Sequence, residues 1–177
     1  MHKLIEKYKT LFLPDIGTFF NNDIDMAFKM TNQLTNAGIP VLKGEVLHNA
    51  EICLESKLSE FYYSSSKDQM VEENYREIIE RKIVSLESYD KIFNNIKKQG
   101  CELVLSVYDN EGLDFALKHD VLAIKIASSN ITHQNLIEYA AKTDKTIIID
   151  TGHSSLEEIA RAINWLNDND KFDIIIQ

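Results

Sequence analysis

Hydrophobic positions between Val121 and Gln177 fall into three short clusters, VLAIKIASSN, KTIIIDTGHSS and KFDIIIQ. The two intervening runs, about a dozen residues each, carry apolar residues at helical spacing. Short apolar strands alternating with amphipathic helices predict parallel strands joined by right-handed helical crossovers.

The same reading extends upstream. HKLIEKYK at 2–9 predicts a short amphipathic helix and TLFLPDIG at 10–17 a first strand, with Pro14 tolerated near its end. Asn22 or Asp23 is placed to cap a helix whose residues Ile24, Ala27, Met30 and Leu34 share one face, and Gly38 ends it. IPVLKGE at 39–45 is a second strand. Residues 46–80 break the alternation, with a tyrosine- and serine-rich centre (FYYSSSKD), and read as a long excursion holding a turn or two of helix. LESYDKIFNNIKKQG is a helix ending at Gly100, CELVLSVYD a third strand and EGLDFALKH a short helix. The sum is (βα)5β in one α/β domain, with no internal repeat and no linker. A full (β/α)8 barrel has two more strands and typically about 250 residues, so the expectation is a partial TIM-type barrel. The apolar strand FDIIIQ at the end would be an exposed edge, which soluble proteins avoid. The expectation is therefore a piece of a longer protein, or an edge covered by another chain.

Alternation along the strands sorts their side chains. In the fourth strand Val121, Ala123, Lys125 and Ala127 separate from Leu122, Ile124, Ile126 and Ser128. The small set with the lysine suits a crowded barrel interior, and the bulky set suits packing against helices. Val41, Lys43 and Glu45 likewise share a face opposite Leu42, and Leu13 shares one with Asp15. Asp15, Lys43, Glu45 and Lys125 then point into one mouth at the carboxyl ends of the strands, where parallel α/β proteins bind ligands. A single charge at a strand end is equally well explained by solvent exposure. Two lysines and two acids at matching ends must bind each other, water or a polar ligand.

Composition narrows the function classes. A net charge of −9 and a pI near 5.0 argue against nucleic acid and acidic membranes as partners. No apolar run approaches the roughly 20 residues of a membrane span, and MHKLIEKYK lacks the apolar segment of a signal peptide. Cys53 and Cys101 lie in no metal-type spacing and read as free thiols of a reducing, cytoplasmic compartment.

Several stretches resemble the sialic acid synthase family, which makes N-acetylneuraminate and related nonulosonates. PDIGTFFNND is similar to the family's first strand and loop, VLKGE to its Val-Lys-Phe-Gln strand, and VLSVYDNEGLDF to its Phe-Leu-Ser-Thr-Pro-Phe-Asp strand. IKIASSN is similar to its Tyr-Lys-Ile-Ala-Ser strand end, and LIEYAAKTDKTIIIDTGHSSLEEI to the segment that follows. The resemblance covers residues 11–177 and is most specific in the second half. It implies that 1–177 is the amino-terminal part of the synthase barrel, lacking the rest of the barrel and the small C-terminal antifreeze-like domain usual in the family. It also implies a condensation of phosphoenolpyruvate with an N-acylated amino-sugar in its open aldehyde form. Water adds to the enolpyruvyl carbon, C–O cleavage releases phosphate, and a divalent metal, Mn or Mg, polarises the aldehyde. On that resemblance Lys43 and Lys125 hold phosphoenolpyruvate, with Ser106, Ser128 and Thr151 lining the site and Asp15 and Glu45 in catalytic positions. A homo-oligomer is a further implied partner.

The departures bear on chemistry. Asp15 stands for the family's Glu, Phe19-Phe20 for Asn-His, Gly44-Glu45 for Phe-Gln, Val107 for Thr and Asn130 for an acid. Asp150-Thr151-Gly152-His153 replaces Ser-Thr-Gly-Met, and the family's metal histidines lie at or beyond Gln177. His48, His153 and Glu45 are the candidates for a substitute metal site, though histidines at loop ends commonly cap or face solvent. Ser154 with Glu157, or Ser155 with Glu158, forms a capping box whose amides either cap the helix or meet an anion. Cys53, Trp165 and the cluster Phe61, Tyr62, Tyr63 are expected to pack. A degenerate, non-catalytic homologue serving as a binding or scaffold subunit, or another phosphosugar-binding barrel enzyme, are the rival readings.

Overall fold

The computed structural model describes residues 1–52 and 57–177. Six strands form one parallel sheet: β1 (Asp15–Gly17), β2 (Val41–Val46), β5 (Glu102–Val107), β6 (Ala123–Ile126), β7 (Thr146–Ile149) and β8 (Ile174–Ile176), adjacent in chain order. Helices α2 (Ile24–Asn36), α4 (Leu86–Lys98), α5 (Asn110–Lys118), α6 (Gln134–Ala141) and α7 (Leu156–Asn167) make the crossovers, giving the expected (βα)5β arc of a partial barrel. Local chemistry starts and stops these helices. Asp23, Ser85, Asp109 and Ser155 accept hydrogen bonds from first-turn amides. Gly38 and Gly100 follow α2 and α4 at φ 79° and 75°, a conformation that costs glycine little.

Register fixes two faces. Leu42, Leu105, Ile124 and Ile147 turn outward to helix residues such as Phe93, Leu113, Leu136 and Ala162 in the main core. The concave face carries two rows: Asp15, Lys43, Val104, Ala123 and Thr146, and one pleat higher Glu45, Ser106, Lys125, Ile148 and Ile175. The apolar residues of this face, Val41, Val104, Ala123 and Ile148, pack with Met1, Leu4, Leu11 and Leu13. Helix α1 (His2–Tyr8) thus sits across the amino-terminal ends of the strands, tied by a 2.6 Å His2–Asp173 contact. Apolar packing below leaves the charged row facing the opposite mouth.

Four expectations need correction. The first strand is three residues long and begins after Pro14, whose carbonyl accepts from the Lys43 amide at 2.8 Å, because proline has no N–H to give the ladder. The excursion is an antiparallel hairpin, β3 (Ser59–Ser64) and β4 (Gln69–Asn74), followed by the one-and-a-half-turn helix α3 (Tyr75–Glu80). Its aromatics do not pack: Phe61 and Tyr63 lie with Met70 on one hairpin face and are 65 %, 57 % and 63 % exposed. Alternation also fails before the fourth strand, where Val121 joins the helix-side core and Leu122 the concave cluster, since the ladder starts only at Ala123. Trp165 packs against the main core as expected. Cys101 is a buried free thiol, pushed up to about 11 chiefly by burial, and Cys53 lies outside the described residues. No helix among the described residues is long and apolar enough to cross a membrane.

Candidate active site

At the carboxyl end of the arc Lys43 is the central group. Its side chain is 7 % exposed, and Nζ donates to Asp15 Oδ2 at 2.8 Å and Glu45 Oε1 at 2.6 Å. Asp15 is steadied by its other oxygen, which accepts from the Gly17 amide at 2.7 Å. The second oxygen of Glu45 accepts from the Tyr108 hydroxyl at 3.0 Å. Burial above all, then the charge and hydrogen bond of Glu45, raises Tyr108 far above the ordinary phenol value and keeps it a donor. Gly44, between Lys43 and Glu45, turns to the helix side, where an added Cβ would lie 3.1 Å from Leu105 and 3.2 Å from Phe93. The Phe93 ring of α4 thus fills the volume that a side chain on β2 would need.

Lys125 lies on the same concave face, two strands from Lys43 and one pleat higher. Ideal sheet geometry separates their backbones by roughly 10 Å across and ~6.6 Å along the strands, a span that two lysine side chains can close. Lys125 Nζ is 2.9 Å from Asp150 Oδ2. Ser106 is buried between Glu45 and Lys125 in the upper row. Three carboxylates therefore face two ammonium groups.

The other expected residues are more dispersed. Ser128 abuts the turn after β7, where a Cβ on Gly152 would come within 3.4 Å of its Oγ. Thr151 is committed elsewhere, its hydroxyl donating to the Gln177 carbonyl at 2.8 Å. Ser155 and Glu158 form the full capping box, so a carboxylate of the chain already serves that helix start. Two adjoining cavities open beside Tyr108. One of about 340 Å³ is lined by Asn49, Asp109, Asn130 and His133, and one of about 260 Å³ by Thr18, Glu45, Lys82 and Asn130.

With this geometry in place, the comparisons are decisive: the NeuB family model matches residues 30–177. The chain belongs to the NeuB family. It is 29 % identical over 167 residues to an uncharacterised protein of Methanocaldococcus jannaschii, covering 94 % of this chain and 45 % of that one. It is 26 % identical over 161 residues to the N,N'-diacetyllegionaminic acid synthase of Campylobacter jejuni, covering 91 % and 48 %. Among solved structures it is similar to the N-acetylneuraminic acid synthetase of Leptospira borgpetersenii, with a TM-score of 0.74 at 17 % identity, over 94 % of this chain and 52 % of that one. The chain spans about half the length of the curated relatives it matches. The NeuB match includes Lys43, Glu45 and Lys125 and begins after Asp15.

The substitute metal site does not form. His48 Nε2 lies 3.1 and 3.0 Å from the two oxygens of Asp109, which Asn49 and the Gly112 amide also engage. Burial opposes ionisation of Asp109, but these bonds outweigh it and hold its carboxyl below the ordinary value. His153 is exposed, at φ 57°, and Glu45 is occupied by Lys43 and Tyr108. No group of three or more His, Cys, Asp or Glu among the described residues is arranged to hold a metal ion. Sequence reasoning met Asp150 only as a departure from the family's serine and missed Tyr108 and Asp109. Carrying the alternation past each strand end would have put Tyr108 with Ser106 and Asp150 with Ile148 on the concave side.

Proposed function

We propose that this chain is the amino-terminal part of a nonulosonate synthase that condenses phosphoenolpyruvate with the open aldehyde of an N-acylated amino-sugar, and that the remaining strands and an antifreeze-like domain belong to the complete enzyme. The observation that carries the reading is the placement of Lys43 and Lys125 on one concave face, at the strand ends, within the family-matched segment. Together they form a dication for a phosphate and a carboxylate. In the reaction the methylene carbon of phosphoenolpyruvate bonds to the aldehyde carbon, whose oxygen takes a proton and becomes a hydroxyl. Water adds at the enol carbon, the C–O bond to phosphate breaks, and the water oxygen remains as the ketone. In this reading Glu45, which lines the cavity, takes the proton of the adding water, and Asp15 and Tyr108 hold Lys43 and Glu45 through their hydrogen bonds. The family resemblance implies a divalent metal, Mn or Mg. The described residues do not form a site for it.

One observation favours the rival reading of a non-catalytic binding subunit. Both lysines are already paired with the chain's own carboxylates, and Asp150 occupies a position where the resemblance has serine. Thermal unfolding with and without phosphoenolpyruvate separates the two. The synthase reading expects stabilisation of about 2.7 kcal/mol at a hundredfold excess over Kd, abolished in Lys43→Gln and strengthened in Asp150→Ser. No stabilisation of either the parent or Asp150→Ser would leave the scaffold reading standing.

A further inference from the structure

The reaction proposed above leaves one proton without a source, the one that turns the aldehyde oxygen into a hydroxyl. Tyr108 is placed to supply it. It follows β5, the strand that lies between β2 with Lys43 and β6 with Lys125. It is half-buried and lines both the cavity of about 260 Å³ and that of about 340 Å³. Its hydroxyl donates to Glu45 Oε2 at 3.0 Å, while Lys43 Nζ donates to Glu45 Oε1 at 2.6 Å. Both oxygens of Glu45 thus accept, the pattern of a carboxylate. Asn130 lines both cavities as well, and its Nδ2 donates to the Tyr108 carbonyl at 3.2 Å. An amide can orient a ligand there but cannot exchange a proton. The resemblance has glutamine at position 45 and an acid at 130, so in this chain the exchangeable carboxyl of the mouth has moved to β2, beside the phenol.

The hydrogen bond between the two can reverse. A carboxylate only accepts, so the phenol now points its O–H at Glu45. Once Glu45 takes a proton it becomes a donor. The phenol oxygen then accepts from it, and the phenol's own O–H is free to turn into the cavity. Burial first, then the charge and hydrogen bond of Glu45, push Tyr108 far above the ordinary phenol value. A free phenolate is therefore costly, and the phenol gives up its proton only as another arrives.

We propose that Tyr108 is the acid that protonates the aldehyde oxygen of the acceptor, and that it is recharged through Glu45 by the adding water. The proposal rests on the synthase reading for the reaction, and on the Glu45–Tyr108 contact for the route. The methylene carbon of phosphoenolpyruvate bonds to the aldehyde carbon, and the C=O electron pair moves onto the oxygen. Water bonds to the enol carbon and gives one proton to Glu45. Glu45 passes that proton to the Tyr108 oxygen as the phenol proton moves to the former aldehyde oxygen, completing the hydroxyl. The second proton of the water leaves with the phosphate as the C–O bond breaks. Tyr108 ends as a phenol and Glu45 as a carboxylate, ready for the next turnover.

Single-turnover phosphate release from phosphoenolpyruvate and N-acetylmannosamine, measured on the complete chain in mixtures of H2O and D2O, tests this on the parent and Tyr108→Phe. The variant is expected to be slower by about a hundredfold or more, with its affinity for phosphoenolpyruvate by calorimetry within about threefold of the parent. In the parent the rate should fall along a curve as the deuterium fraction rises, because two protons move together. In Tyr108→Phe the same plot should be a straight line. A tyrosine that only held Glu45 in place would leave the shape of the curve unchanged. A rate for Tyr108→Phe within about fivefold of the parent overturns the proposal. So does a loss matched by weaker phosphoenolpyruvate binding, or a curve that the variant keeps. A straight line in the parent also overturns it, and that result needs no variant to fold. No phosphate release by the parent overturns it too, and thermal stabilisation by phosphoenolpyruvate, present in the parent and absent in Lys43→Gln, then shows whether the synthase reading survives.

Discussion

Replacing Lys43 by methionine removes the one cation between Asp15 and Glu45 while keeping nearly the same unbranched volume. Breaking a buried ion pair by deleting one partner costs about 3–5 kcal/mol, mostly because the other charge stays buried. Here the orphaned groups differ. The Asp15 side chain is 39 % exposed and can recover hydration, whereas that of Glu45 is 20 % exposed and keeps only the Tyr108 hydroxyl. Discounting for that access leaves an expected loss of about 2–3 kcal/mol, or a fall in Tm of roughly 5–10 °C for a chain of this size. Urea denaturation followed by circular dichroism measures it directly, with the slope against denaturant unchanged if the fold is intact. The triple variant Lys43→Met, Asp15→Asn, Glu45→Gln removes all three charges and should recover to within about 1 kcal/mol of the parent, because neutralised clusters are often as stable as the ion cluster they replace. A single-variant loss below about 0.5 kcal/mol, or a triple variant no better than the single one, would refute a lysine clamped between two carboxylates.

Two further outcomes follow from the packing. Gly44→Ala should destabilise by about 1–3 kcal/mol because its methyl meets Phe93 and Leu105 at 3.1–3.2 Å, and Phe93→Leu in the same chain should recover part of that loss in the same urea titration. His119 is buried against Phe93 and Phe115, its Nε2 without a hydrogen bond among the described residues and 3.4 Å from Asp90, with Lys97 and Lys118 also acting on it. Burial first, with the two lysines, lowers its pKa below the ordinary 6.5 despite Asp90. The unfolded chain therefore binds the proton more readily, so stability is full above the unfolded value and falls as pH drops from there toward the folded value. Urea midpoints at pH 7.5 and 5.5 should show that fall in the parent and a smaller one in His119→Phe.

The parallel arc was legible because its strands are short apolar runs between capped, periodic helices, and because period-two alternation assigns each residue of a strand to a face. That rule alone puts Asp15, Lys43, Glu45 and Lys125 on the concave side, where the strand register has them. It was silent on the hairpin, whose β3 presents Phe61 and Tyr63 to solvent and so lacks an apolar-in, polar-out signature. It was also silent on pairings made beyond the ladders. Asp150 follows β7 and Tyr108 follows β5, and each needed one more alternation step past a strand end. The His48–Asp109 contact joins residues 61 apart in sequence. Only the tertiary neighbourhood of the β2 and β5 ends creates it. The aspartate alone was foreseeable, as an N-cap immediately before a helical run.

The paired state of both lysines bears on how an anion would enter. Bringing phosphoenolpyruvate to Lys43 or Lys125 is an exchange of one oxyanion for another, so the hydrogen bonds given up are close in kind to those gained. What decides the balance is the fate of the displaced carboxylate. The side chains of Asp15 and Asp150 are 39 % and 32 % exposed, so each lysine has one partner that can turn to water without a buried charge being stranded. Glu45 cannot, but it has the Tyr108 hydroxyl on its other oxygen and need not leave. Each ammonium thus has a partly exposed carboxylate partner whose displacement by an incoming anion would strand no buried charge. On this physical ground the carboxylates that make the site look self-satisfied are compatible with phosphoenolpyruvate binding. They weaken that binding by holding the net charge of the mouth negative, with three carboxylates set against two ammonium groups.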